Sequence, residues 1–137
     1  MKLTDEQILE NWEALKKVIT SEFTGDRKDK LLLMYEFFQE RMIIAPASGL
    51  EHYHNCFEGG YVDHVLRVIK CAKELHKTWN LMGAIDSDFT EEELLFSALN
   101  HDLGKIGDRE FPYYIPNPSE WHRKNQGKIY NHNPELQ

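Results

Sequence analysis

The sequence predicts an all-α fold, a compact helical bundle that forms one domain over residues 1–137. Three observations carry that prediction. Apolar residues recur three and four apart along four stretches, no stretch alternates as a half-buried strand would, and two Thr-x-x-Gln/Glu patterns stand where helices would begin. At 137 residues the chain can bury about two-thirds of its unfolded surface and is short for two domains. A hydrophobic content of 41%, with only 8 Gly and 5 Pro, belongs to a globular protein with a real core.

Thr4 and Gln7 form the first capping box, and Ile8, Trp12, Leu15 and Ile19 follow at helical spacing, with Leu9 beside them. This helix ends before Gly25. A second begins near Asp26 and carries Leu31, Leu32, Leu33, Met34, Tyr35, Phe37, Phe38 and Met42. It is apolar on all sides, which places it at the centre of the core. Ala45-Pro46-Ala47-Ser48-Gly49 breaks that helix, and Glu51-His52-Tyr53-His54-Asn55 reads as a loop. After Gly59-Gly60 a third helix runs over about 61–79. At 100° per residue Asp63, Arg67, Lys70, Lys73, Glu74 and Lys77 fall on one side, and Tyr61, His64, Val65, Val68, Cys71, Ala72 and Leu75 on the other. Thr90 and Glu93 open a fourth, which passes through Leu94, Leu95, Ala98 and Leu99 to His101-Asp102 and stops at Gly104. Beyond Asp108 no period survives, and Pro112, Tyr113, Tyr114, Pro116, Asn117 and Pro118 read as loop.

Charge and cysteine content restrict the function classes. A formal net charge of −7, from 23 acidic against 16 basic residues, repels polyanions and argues against an extended nucleic-acid surface. A small phosphorylated ligand is compatible with it, because a bound metal and a few local cations invert the field inside a pocket. Cys56 and Cys71 form neither a disulfide framework nor a CxxC zinc site, which fits a reducing compartment. The acidic start at Asp5-Glu6 argues against a signal peptide, and no run reaches the roughly 20 apolar residues of a membrane span. The expectation is a cytoplasmic protein that does not engage a membrane.

The chemistry lies in three metal-competent side chains on two apolar stripes. His64 sits on the inward side of the third helix, and His101 and Asp102 flank the Leu94/Ala98 stripe of the fourth, so all three are expected to face inward. A buried carboxylate needs a partner, and a divalent metal supplies one. Two imidazoles and one carboxylate suit a borderline ion and leave positions for water. The alternative for each alone is a hydrogen-bonded core histidine at His64 and a local cap or pair at Asp102.

At this point the chain resembles the HD superfamily of metal-dependent phosphohydrolases, named for its His…His-Asp…Asp ligands. Tyr61-Val62-Asp63-His64-Val65-Leu66-Arg67-Val68 after Gly59-Gly60 is similar to the family's first-histidine helix, and His101-Asp102-Leu103-Gly104-Lys105-Ile106-Gly107 to its HD signature. The likeness covers about residues 50–108, and the aromatic tail resembles that of small phage-type members. The resemblance implies an HD-type bundle in which His64, His101 and Asp102 bind one of manganese, cobalt, nickel, iron, magnesium or zinc. It implies hydrolysis of a phosphate ester or anhydride, of a nucleotide in the first instance, with Asp102 and Lys105 catalytic and Lys105 on a substrate phosphate. A cation that stabilises a helix C-terminus is the other reading of Lys105. The family's fourth ligand is a later Asp, and none follows Asp108, which itself lies only six residues after Asp102. A C-terminally truncated form is the expectation that accounts for this.

Two further clusters have open alternatives. His52 and His54 precede the Gly-Gly turn and either bind a second metal or a phosphate or stand in solvent. Residues 121–128 include Trp121, His122, Arg123 and Lys124, and the two cations either grip substrate phosphates or belong to a solvated charged loop. Two competing functions follow: a di-iron HD oxygenase using His52, His54 or His122, and a degenerate HD module that binds a nucleotide and regulates.

Overall fold

Both capping boxes open helices in the computed structural model, which describes residues 2–84 and 88–136. Thr4 accepts from the Gln7 amide, and Gln7 closes the box from its side chain to start α1 (Asp5–Glu22). Thr90 and Glu93 do the same for α5 (Glu91–Asn100). Between them lie α2 (Gly25–Phe37), α3 (Gln39–Ile44) and α4 (Gly60–Leu81). A 3₁₀ turn at Leu103–Ile106 follows α5, then β1 (Tyr114–Pro116), α6 (Glu120–Gln126) and β2 (Tyr130–His132). The chain is thus mainly helical, as expected. No described helix is long and apolar enough to cross a membrane.

The core lies where α1, α2, α4 and α5 meet. Trp12, Leu15 and Ile19 of α1 pack there with Leu31 and Tyr35, Tyr61, Val65 and Ile69, and Leu95 and Leu99. The Tyr35 hydroxyl donates to the Leu99 carbonyl at 3.1 Å and lies 3.3 Å from Asn100 Oδ1. That bond ties α2 to the end of α5.

Four expectations need correction. The second helix is not central: Leu33 and Phe37 are 68% and 65% exposed. Only Leu31 and Tyr35 of α2 are buried, and the helix breaks at Phe38 (φ −96°, ψ 7°), so that α3 turns Met42 inward instead. The inward stripe of α4 runs through Tyr61, Val62, Val65 and Ile69, whereas Cys71 and Leu75 are exposed. Its 22 residues outrun the 10 of α5, and beyond Ile69 its contacts are peripheral ones, such as the Lys73–Glu22 ion pair and the His76 ring 5.8 Å from that of Phe89. The last core helix ends at Asn100, and Asp102 has left the helical path (φ −110°, ψ 13°).

The fourth correction concerns the tail, which is ordered into the antiparallel pair β1/β2, in the register Tyr114↔His132 and Pro116↔Tyr130, with α6 between the strands. Three-residue strands are too short to show a period of two. The pair is held by long-range backbone bonds, including Ile129 and Tyr130 amides to the Gly49 carbonyl at 3.0 and 3.1 Å.

Candidate metal centre

The loop before α4 is strapped to the helix by backbone geometry that demands glycine. A Cβ at Gly60 would lie 2.2 Å from the Asn55 carbonyl oxygen. Asn55 can approach because nothing stands there, and its amide donates to Gly60 O at 3.0 Å and Asp63 Oδ2 at 2.8 Å. Asp63, assigned from helical periodicity to the charged outer face, is accordingly half-buried and also pairs with Arg67 at 2.9 Å. Ser48 donates to the His54 carbonyl at 2.8 Å. The strap leaves the His54 ring 4.5 Å from that of His64.

His64, His101 and Asp102 converge from α4 and the end of α5. His64 Nε2 lies 3.1 Å from His101 Nε2 and 3.3 Å from Asp102 Oδ2, and His101 Nε2 lies 3.4 Å from the same oxygen. Ligand atoms held at about 2.0–2.2 Å stand about 3.3–3.6 Å apart around a tetrahedral ion and about 3 Å apart on an octahedral edge. The triangle therefore fits a divalent ion with little rearrangement. One ligand atom each of His54, His64 and Asp102 also lie within 4.8 Å of one another.

The donor chemistry agrees. His101 Nδ1 lies 2.8 Å from the Ala98 carbonyl. A carbonyl only accepts, so Nδ1 carries the proton and Nε2 presents its lone pair to the cluster, the arrangement usual for metal-binding histidines. The end of α5 also favours a cation through its exposed carbonyls. These side chains are not fully inward as expected: His64, His101 and Asp102 keep 20%, 34% and 18% of their side-chain surface.

Electrostatics favour neutral His64 and ionised Asp102. Burial, followed by the neighbouring His54, holds the His64 pKa below its ordinary 6.5 against the opposite pull of Asp102. Burial raises the Asp102 carboxyl, but the hydrogen bond and charge of Lys105, aided by His101 and His64, leave it below 3.8. Lys105 Nζ donates to Asp102 Oδ2 at 2.8 Å.

No protein-family model, curated protein or solved structure matches this chain. Geometry and chemistry alone therefore carry the functional reading.

The remaining expected site residues divide. His54 joins the cluster, whereas His52 stacks edge-on against Tyr53 and lies outside it. His122 Nδ1 lies 2.6 Å from Ser119 Oγ at the start of α6, outside the cluster of described residues. Arg123 donates to the Asn117 carbonyl, and Lys124 pairs with Glu120 one turn back at 2.6 Å. Residues 120–126 form a helix capped by Ser119 where a loop was expected, and Arg123 and Lys124 lie in its last turn. Asp108 accepts from the Glu110 and Phe111 amides at 2.8 and 2.7 Å, which makes it a turn residue. Sequence reasoning set His54 apart from the primary cluster, because loop residues have no period from which a direction can be read.

Proposed function

We propose that this chain is a metal-dependent phosphohydrolase of the HD kind, cleaving a phosphate ester or anhydride of a small substrate. The observation that carries the reading is the triangle of His64 Nε2, His101 Nε2 and Asp102 Oδ2, with edges of 3.1–3.4 Å and Lys105 against the same carboxylate. His54 is the natural fourth ligand, in place of the acidic residue that the resemblance leads one to seek downstream.

A divalent ion held by these residues supplies Lewis acidity toward a phosphoryl oxygen and a water acidic enough to act near neutral pH. The chain's own groups do the rest. Asp102 would bind the ion beside His64 and His101 as the anionic member of the set and so lower the net charge of the centre. Lys105 hydrogen-bonds one carboxylate oxygen and has its remaining N–H donors available for phosphoryl oxygens, where negative charge develops during displacement. Ala98 fixes the His101 tautomer.

The test is phosphate or pyrophosphate release from a panel of nucleotides and simple phosphate esters, with each of manganese, cobalt, nickel, iron, magnesium and zinc. Metal-dependent turnover that Asp102→Asn and His64→Ala abolish supports the proposal. Absence of turnover with every metal, in protein shown to bind one, refutes it.

A further inference from the structure

Two of the clustered histidines have chain neighbours that are bonded to each other. His64 follows Asp63 on α4, His54 precedes Asn55 in the loop before it, and the Asn55 amide donates to Asp63 Oδ2 at 2.8 Å. The hydrogen bond thus joins the two histidine-bearing backbones one residue away from each ring. Arg67, one turn further along α4, donates to the same carboxylate oxygen at 2.9 Å, so the acceptor is itself held in place. The other donor of the Asn55 amide goes to Gly60 O at 3.0 Å, which uses both of its N–H groups on α4.

His54 depends on such a clamp. Its side chain is exposed, whereas His64 is half-buried, so packing gives the His54 ring little direction and the backbone on either side must supply it. That backbone is constrained. The His54 carbonyl accepts from Ser48 Oγ at 2.8 Å, and Asn55 has φ 51°, a left-handed conformation that no other non-glycine residue adopts among those described. Asparagine enters that region more easily than most residues, yet it is held there only where its surroundings fix it. Here the Ala47 and Phe57 amides donate to its carbonyl at 3.0 and 2.9 Å, and its side chain reaches α4. Asp63 is not a member of the cluster, but only 15% of its side-chain surface is exposed. Taking a carboxylate that far out of water is costly, and the bonds from Asn55 and Arg67 offset the cost.

We infer that Asp63 and Asn55 are positioning residues, whose hydrogen bond sets His54 against His64 and so presents it as a ligand of the centre. The ligand half of this assignment rests on the metal reading, and the positioning half on the loop geometry alone. Neither residue touches the ion or a phosphate.

Three substitutions separate the roles. Asn55→Gly tolerates the left-handed backbone and removes only the amide, Asp63→Ala removes the acceptor, and Asp63→Asn restores a carbonyl oxygen that can accept from Asn55. In the metal-free full chain, nuclear magnetic resonance should show an Overhauser contact between the His54 and His64 rings, whose centroids are 4.5 Å apart. Asn55→Gly and Asp63→Ala should abolish it, and Asp63→Asn should retain it. In manganese calorimetry the first two should each weaken binding about tenfold, with Asp63→Asn recovering to within about threefold of wild type. In a His54→Ala background, Asn55→Gly should cost nothing further, because the residue acts through His54. A ring contact unchanged in Asn55→Gly and Asp63→Ala overturns the inference. So does a full further loss of affinity in the His54→Ala background, which is the result that general loosening of the fold would give. The two readings fail separately. A ring contact that depends on Asp63 and Asn55, in a chain that binds manganese but releases no phosphate, supports the positioning and removes the hydrolase, whereas manganese-dependent turnover with an indifferent ring contact keeps the hydrolase and removes the positioning.

Discussion

Adding a divalent metal to chelator-stripped protein should raise its melting temperature by an amount set by the preformed site. The edges of the ligand triangle, 3.1–3.4 Å, already lie within a few tenths of an ångström of those around a bound ion. Little binding energy is therefore diverted into rearrangement. At manganese about 100-fold above its dissociation constant, mass action adds about 2.7 kcal/mol to stability. With about 2.1 cal/mol/K of unfolding entropy per residue, a 137-residue chain shifts by about 9 °C. Asp102→Asn replaces the one anionic ligand with a neutral amide. A loss of about 100-fold or more in affinity, at least that of removing an outer partner, cuts the shift to under about 2 °C at the same metal concentration. The metal-free variant should also melt a few degrees lower, because Lys105 loses its counter-ion, worth about 1 kcal/mol for a partly exposed pair. Differential scanning calorimetry with and without metal reads both quantities. A wild-type melting temperature indifferent to every divalent metal, or an equal shift in Asp102→Asn, refutes the reasoning.

Four more outcomes follow from the same geometry. Because the folded His64 pKa lies below the unfolded 6.5, the urea midpoint of metal-free protein should be flat above about pH 6.5 and fall below it as the unfolded state takes up the proton first, with metal affinity declining in the same direction. Tyr35→Phe should cost about 1 kcal/mol in urea unfolding by removing the hydroxyl that ties α2 to the end of α5. Gly60→Ala should destabilise by about 2–4 kcal/mol and weaken metal binding, because its methyl group would meet the Asn55 carbonyl at 2.2 Å and displace the loop that carries His54. Leu33→Lys should change stability by less than about 0.5 kcal/mol, where a core position would lose several.

The starts of α1 and α5 and the three metal-competent side chains of the cluster were legible in the sequence because they rest on local physics. Capping boxes at Thr4 and Thr90 involve residues three apart, and the Trp12/Leu15/Ile19 stripe needs only the period of the α-helix. His64, His101 and Asp102 could be singled out because polar, metal-competent side chains beside apolar stripes require a partner. Which side chains finish the centre was decided by tertiary structure. His54 reaches His64 through the Asn55–Gly60 approach. The apolar α2 faces solvent at Leu33 and Phe37 for the same reason: the number of neighbours around a helix depends on how the chain packs, and periodicity records only which residues share a face. Local sequence thus set the helix starts and the chemistry available to the cluster, while contacts between residues distant in sequence brought His54 to His64, broke the second helix at Phe38 and paired the two short strands.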